Sequence, residues 1–490
     1  MSTQSLRSKG VSGGLFPPES NLEGDTLHEE CGVIGVYHNE ADAAPGVYYG
    51  LYALQHRGQE SAGIAANNGG TIALRKKLGL VGEVFHGSHT LSGLSGNIAI
   101  GHVRYSTAGE ADVRAAQPLV ARCRLGDVAM AHNGNLVNAE SIQDMLADSG
   151  VIFQTTSDSE SILNLICQHG NKRGIENGIH AAMGLMKGAY VLILTVGDQL
   201  IGVRDPYGFH PLCIGKLPDG WVLASESCAL EALDAEFVRD VTPGEIVIID
   251  KDGLRSIEPA HWCRKSLCVF ELVYFARPDS VVDGVSVYDF RRRCGALLAK
   301  QSGVEADMVM AVPDSGIPAA IGYAEASGIP YGEGLIKNKY IGRTFIQPTQ
   351  EMREDAVRIK LSTIRQNIEG KRLVVVDDSI VRGTTCRRIV GHLRDAGARE
   401  VHVCAASPAV CYSCYFGIDT PYREKLIAVQ KEHEAIREYL GADTLTYLSL
   451  ENLAAVCEGR DEYCKACFDG NYPMEVPATA RPSGFAKEGR

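Results

Sequence analysis

The stretch Leu373–Thr385 reads LVVVDDSIVRGTT, and no other part of the chain narrows the choice of fold as sharply. Leu373 to Val376 are apolar and mostly β-branched, so both faces need burial, as in a central parallel strand. Thr385 to Asp395 carries helical spacing. The loop between them joins a strand's carboxyl end to a helix start. There the backbone N–H groups of Arg382 to Thr385 and the positive end of the helix dipole face outward, which suits a phosphate. Gly383 allows close approach of the backbone, and Thr384 and Thr385 add hydroxyl donors. Asp377 and Asp378 are adjacent like charges, so Mg²⁺ or the hydroxyls of a sugar are expected beside them. Read alone, Asp377-Asp378-Ser379 is also an ordinary polar turn before a helix.

A chain of 490 residues exceeds one ordinary core, so two or three domains are expected. Its formal charge of −12 argues against gripping nucleic acid, which takes clustered Lys and Arg. The most apolar window, Ala189 to Val196, is too short to span a membrane. The first thirty residues lack the apolar core of a secretory signal. A cytoplasmic enzyme is expected, and in a reducing compartment the fifteen cysteines are core thiols, nucleophiles or metal ligands rather than disulfides.

Residues 1–30 read as a leader. CGVIGVY from Cys31 opens a strand, and a helix over Ala43 to Leu54 follows. Short strands are expected at Asn97–Tyr105, Val128–His132, Tyr190–Val196, Leu200–Arg204 and Trp221–Ser225, with a hairpin at Gly197-Asp198 and a helix over Ser159–Gln168. Many strands with few long helices suggest antiparallel sheets covered by helices. After Asp250 the texture becomes charged and turn-rich, which marks a boundary. Beyond it helices and strands alternate, as a parallel sheet requires. The polar, basic segment Lys337–Gln350 reads as a lid loop.

The string Leu373–Thr385 resembles the phosphoribosyl pyrophosphate (PRPP) loop of type I phosphoribosyltransferases. Cys31, Gly101-His102-Val103-Arg104-Tyr105-Ser106-Thr107, His132-Asn133-Gly134 and Ser157-Asp158-Ser159-Glu160 follow one another in the order seen in glutaminase domains with an N-terminal cysteine nucleophile. Together they resemble the amidophosphoribosyltransferase family, iron–sulfur type with a propeptide, over nearly everything from His28 to Pro473. The resemblance implies an α/β and α+β two-domain protein: an N-terminal nucleophile (Ntn) hydrolase αββα sandwich over 31–262 and a type I phosphoribosyltransferase domain over 263–440. A cluster-bearing segment over 441–475 and a disordered tail over 476–490 follow.

Each residue has a chemical reason for its place in that pattern, and a plainer reading beside it. A glutamine amide needs a thiolate, and the base at hand for Cys31 is its own α-amine, which exists only after removal of the leader. Alone, Cys31 reads as a core thiol. Asn133 and the Gly134 N–H form an oxyanion hole. Arg104 suits the substrate's carboxylate and Asp158 its ammonium, although either alone is a structural ion pair. His102 and His132 are expected to be structural. In the family pattern Val312-Pro313-Asp314-Ser315-Gly316, a turn signature by itself, holds pyrophosphate. Ser315 with Asp377 and Asp378 then binds Mg²⁺, and PRPP lies on Asp377, Asp378, Ser379, Arg382, Gly383, Thr384 and Thr385. Cys411/Cys414 and Cys464/Cys467 read bottom-up as a structural zinc site. The resemblance implies instead a [4Fe–4S] cluster on Cys268, Cys414, Cys464 and Cys467, with Cys411 and Cys457 as alternates. It also implies a homotetramer inhibited by purine nucleotides. Beside the lid segment, Tyr274 and Arg57 read as links between the domains.

Overall fold

The computed structural model describes residues 31–86, 90–105, 113–258, 263–338, 361–418, 420, 422–477, 480 and 482. The leader, Ser106-Thr107, the lid segment beyond Asn338 and nearly all of the tail beyond residue 477 lie outside the described residues.

The first half stacks two antiparallel sheets. One has seven strands in the order Glu236–Asp240, Cys213–Leu217, Gly220–Ala224, Gly32–His38, Ile98–Arg104, Ser61–Asn68 and Thr71–Leu78. The other has six: Gly253–Ile257, Ile246–Asp250, Gln199–Arg204, Gly188–Val196, Gly126–Leu136 and Leu119–Cys123. Period two sorts the side chains of each strand between two faces. Val33, Tyr37, Ile98 and Ile100 meet Ala129, Ala131, Val191 and Ile193 in the layer between the sheets. Their neighbours Ile34, Val36, Ala99 and Val103 pack outward against the helix Ala44–Ala53. On the far side, the helices Ala139–Asp148, Asp158–Arg173 and Ile175–Met183 cover Met130, Leu192 and Leu194. The result is the αββα sandwich that the resemblance implies, built of the helix-covered antiparallel sheets expected from the residues. The texture change after Asp250 is a hairpin turn into one more strand, Gly253–Ile257.

The second half is built on four parallel strands in the order Met308–Ala311, Arg372–Asp377, Glu400–Ala405 and Thr444–Tyr447, so this sheet runs past residue 440. The helices Val287–Ser302 and Ile317–Ser327 cover one face, and Thr384–Asp395 and His433–Leu440 the other.

The halves share a buried seam. Arg57 donates to Glu226 and Glu271, and Arg204 grips Asp283 with two bonds of 2.8 and 3.0 Å. Phe209 stacks on Phe416 with ring centres 4.4 Å apart. Of the expected links, Arg57 thus reaches directly across, while Tyr274 packs edge-on against Phe275 within the connecting segment.

Candidate active sites

Strand parity carries the polar residues of the first site to one end of the layer between the sheets. Cys31 shares the phase of Val33, and Arg104 and His102 share that of Ile98 and Ile100. Asn133 shares that of Ala129 and Ala131. Gly32 pairs with Val103, so Cys31 lies beside Arg104. Cys31 is half-buried, and Arg104 and Asn133 are buried. The Arg104 guanidinium stands 3.7 Å from Glu60, a partner that was not singled out in the sequence.

The two sheets are stitched beneath this end. His102 Nε2 lies 3.1 Å from the His132 carbonyl oxygen, and the His132 N–H donates to Gln117 Oε1 at 2.7 Å. Gln117 Nε2 and His132 Nδ1 both reach the Ser159 hydroxyl, at 3.2 and 3.0 Å. Burial, aided by Arg104, pushes the His102 imidazole down to about 3, and burial lowers His132 against the pull of Asp158. Both rings are therefore neutral near pH 7 and hold the scaffold. Gln117 carries no motif, which is why it escaped notice, and Ser159 was legible only as part of the string around Asp158, with no role of its own.

Two features at the strand Gly126–Leu136 are unusual. Asn133 Nδ2 is a buried amide donor with no partner among the described residues. Gly134 has φ +140°, and a Cβ there would lie 2.1 Å from the Ala189 carbonyl oxygen, so glycine is required. Asp158 opens the helix Asp158–Arg173 and accepts from the Leu136 N–H at 3.1 Å.

The second site is the strand-to-helix turn of the parallel sheet. The helix Thr384–Asp395 starts at Gly383, whose φ of +78° and packing against Ile427 explain the glycine. Hence Gly383 serves the backbone turn itself as well as any approaching ligand. Ser379, Arg382, Thr384 and Thr385 line the turn at intermediate exposure. The loop 312–316 lies alongside: the Val312 N–H donates to the Val376 carbonyl at 2.9 Å, and Gly316 passes too close to that carbonyl for a side chain. This brings Ser315 to Asp378, whose two oxygens accept from the Ser315 and Ser379 hydroxyls. Burial pushes the Asp378 carboxyl up, against those hydroxyls. Asp377 is half-buried, and Lys337 reaches Asp314 at 2.6 Å.

Four thiols meet at the seam. Leu267–Cys268 and Tyr463–Cys464 form a short parallel pair with Cys268 opposite Cys464. Cys414 and Cys467 act on Cys464 and on each other, and burial pushes Cys464 up to about 12. The Phe416 N–H donates to Cys414 Sγ at 3.3 Å. Cys457 lies instead by Cys294, while Cys411 touches the set through its N–H on the Cys467 carbonyl. No three His, Cys, Asp or Glu side chains among the described residues are arranged to hold a single metal ion. No helix among them is long and apolar enough to cross a membrane.

Known proteins match this architecture half by half and as a whole. Residues 86–246 match the glutamine amidotransferase domain family, and 288–407 the phosphoribosyl transferase domain family. The amidophosphoribosyltransferase of Archaeoglobus fulgidus is 50% identical over 452 residues, spanning 91% of this chain and 98% of that one. The structure of glutamine PRPP amidotransferase from Bacillus subtilis complexed with ADP and GMP superposes with a TM-score of 0.86 at 46% identity, covering 93% of this chain and 100% of that one. A second structure, described as the allosteric regulatory enzyme of purine biosynthesis, gives 0.87 at 47% identity over 93% and 99%. With both domains, their order and nearly the whole length in common, the chain belongs to the amidophosphoribosyltransferase family.

Proposed function

We propose that the chain hydrolyses glutamine at Cys31 and delivers the ammonia to C1 of PRPP, releasing glutamate and pyrophosphate and forming 5-phosphoribosylamine, the opening step of purine synthesis. The observation that carries the first half is Asn133 Nδ2, a buried donor left without a partner on the same inner face as Cys31. An unmet buried donor costs about 1–3 kcal/mol, and it is kept where a developing oxyanion accepts from it. Cys31 Sγ attacks the amide carbon while its α-amine takes the thiol proton and passes it to the departing ammonia. Water then releases glutamate. Arg104 holds the substrate carboxylate, Asp158 its ammonium, and the Gly134 N–H is the second oxyanion donor. The amine exists only in a chain that begins at Cys31.

At the second site, the turn 382–385 takes the 5-phosphate, while Asp377 and Asp378 take the ribose hydroxyls. Mg²⁺ fits as a partial site: Asp377 and Asp378, with Ser315 beside them, offer few ligands of their own, and Mg²⁺ takes one or two carboxylates plus substrate phosphates. Bound there, it would neutralise pyrophosphate charge. The four thiols suit a [4Fe–4S] cluster, because they are buried at one place in the fold and one already accepts an N–H bond. Such a group ties the C-terminal segment to the seam. Purine nucleotides, present as ADP and GMP in the B. subtilis structure, share the 5-phosphate and compete at the same turn. A cytoplasmic homotetramer completes the reading.

Two measurements test it. Intact mass of active enzyme should show a chain starting at Cys31; full glutamine-dependent activity in protein that retains Met1 overturns the processing step. Cys31→Ala should abolish synthesis from glutamine and keep synthesis from high ammonium. Unchanged glutamine-dependent synthesis in that variant overturns the assignment.

A further inference from the structure

Arg291 belongs to a run of three arginines, Arg291-Arg292-Arg293, on the helix Val287–Ser302. Arg292 and Arg293 extend into solvent and pair with Glu325 and Glu458. Arg291 is 3% exposed. It lies on the apolar stripe with Val287, Phe290, Cys294 and Leu298, where helical spacing calls for an aliphatic side chain. A guanidinium there must find counter-charge and acceptors.

Its acceptors are backbone. Nε donates to the Leu272 carbonyl and Nη2 to the Ala276 carbonyl, each at 2.8 Å. These two bonds clasp the single π-helical turn Glu271–Phe275, a geometry that is rare and tends to mark functional positions. Its counter-charge is Asp378. Both residues line one cavity of about 10 Å³, closed by Val273, Cys294, Ser315, Ala319 and Ala406, and Arg291 is the sole cation among these lining residues. The two Asp378 oxygens accept from the neutral hydroxyls of Ser315 and Ser379, which do not neutralise the carboxylate and do not use all of its lone pairs. Two opposite charges thus border one small cavity inside the protein, and Glu226 is a further carboxylate acting on the guanidinium.

We propose that Arg291 is a positioning residue for the PRPP site: it aims the Asp378 carboxylate from behind and fixes the strand end to the turn Glu271–Phe275. The proposal rests on the reading of Asp377–Thr385 as the PRPP turn. Arg291 itself touches no substrate, because the cavity opens behind the carboxylate, among core side chains. Its other end matters as well. The turn it clasps begins at Glu271, whose carboxylate is held by Arg57 of the glutaminase half, so one rigid element leans on Asp378 through Arg291 and on the first domain through Glu271.

The test measures ammonium-dependent consumption of PRPP by full-length enzyme, with Arg291→Gln, Arg291→Lys, Ser315→Ala and the Arg291→Lys/Ser315→Ala pair. Losing a charge-assisted partner of a buried group corresponds to about ten- to a hundredfold. Arg291→Gln should therefore raise KM for PRPP by about that factor, at an unchanged near-ultraviolet circular dichroism spectrum. Arg291→Lys keeps the charge but not the two-armed clasp, and should fall between wild type and Arg291→Gln. The double variant should raise KM by less than the product of the single effects, because both side chains act on one carboxylate. If Arg291→Gln does not fold, the lysine variant and the cycle carry the test. Folded variants with wild-type KM for PRPP overturn the proposal, as does strict multiplicativity with Ser315→Ala. An unmodified enzyme that ignores PRPP overturns the underlying reading of the turn instead.

Discussion

The Arg57 guanidinium donates to both carboxylate oxygens of Glu271, 214 residues further along the chain, and neither side chain is exposed to water. The same guanidinium donates to Glu226 Oε1 at 2.8 Å, and His56 Nε2 meets that same oxygen at 2.8 Å. A cation at the centre of two buried acids is the rivet between the glutaminase and phosphoribosyl halves.

Arg57→Ala leaves Glu226 and Glu271 short of their shared cation. Breaking a buried ion pair from one side costs about 3–5 kcal/mol, so a urea midpoint should fall by the corresponding amount. Arg57→Lys should recover only part, since an ammonium cannot make the forked contacts. If the rivet also carries the state of one site to the other, PRPP should stimulate glutamine hydrolysis in wild type and less in Arg57→Lys. Equal stimulation in both would separate stability from coupling.

Acid should unfold the protein in two stages. The folded-state pKa of His102 is about 3 against an ordinary value near 6.5, because burial disfavours the imidazolium. Its neutral ring therefore contributes stability that is complete above about pH 6.5 and is lost as pH falls, at about 1.4 kcal/mol per unit, until the folded value is reached. His132 acts in the same direction. Glu226, desolvated but held down by His56 and Arg57, adds a loss that begins below about pH 4.3. Urea midpoints at pH 7 and pH 5 should differ, and His102→Gln should flatten that difference. A slope unchanged in the variant would refute the assignment to His102.

Asn133→Ala removes the unpartnered donor and should lower kcat for glutamine hydrolysis by about 10²–10³-fold, as for other oxyanion donors. Synthesis from ammonium should stay at the wild-type rate, because the phosphoribosyl site is remote. Because the donor has no partner to lose in the resting enzyme, thermal stability should not drop. A fall in Tm alongside intact hydrolysis would make Asn133 a structural residue.

Anaerobically purified protein should be brown and carry about four irons per chain, as one [4Fe–4S] cluster requires. Stoichiometric zinc would point back to the Cys411/Cys414 and Cys464/Cys467 pairs. Cys268→Ser discriminates, because only the iron assignment uses that thiol: iron content should fall and the segment after Tyr463 should become protease-sensitive. Retained iron in Cys268→Ser would remove it from the ligand set.

Much of this architecture is written in periodicity. Ala189–Val196 and Leu373–Val376 are apolar on both faces and became central strands, and the turn at Gly197-Asp198 joins two of them. Cys31, Arg104, Asn133 and Asp158 were readable because each sits at a strand or helix end in a recurring string. Glu60 and Gln117 were not, and Ser159 was legible only as a member of the string around Asp158, since their roles come from which strands lie side by side, a long-range fact. Arg291 is an intermediate case: helical spacing places it with Phe290, Cys294 and Leu298, but only the packing shows that this stripe is buried, since Arg292 and Arg293 beside it reach solvent.

The thiol group at the seam has a consequence for how the chain is made. Residues 207–210 and 266–268 emerge from the ribosome long before the segments they meet: the His210 ring reaches the Phe416 carbonyl, and Leu267 pairs with Tyr463. Until then Phe209 lacks its stacking partner Phe416, and Phe270 lacks Phe468. The glutaminase half and the segment that follows it therefore wait half-covered while much of the second half is made, because domains fold as they emerge. A nascent chain that stops short of Tyr463 therefore leaves Leu267 and Phe270 without their partners Tyr463 and Phe468.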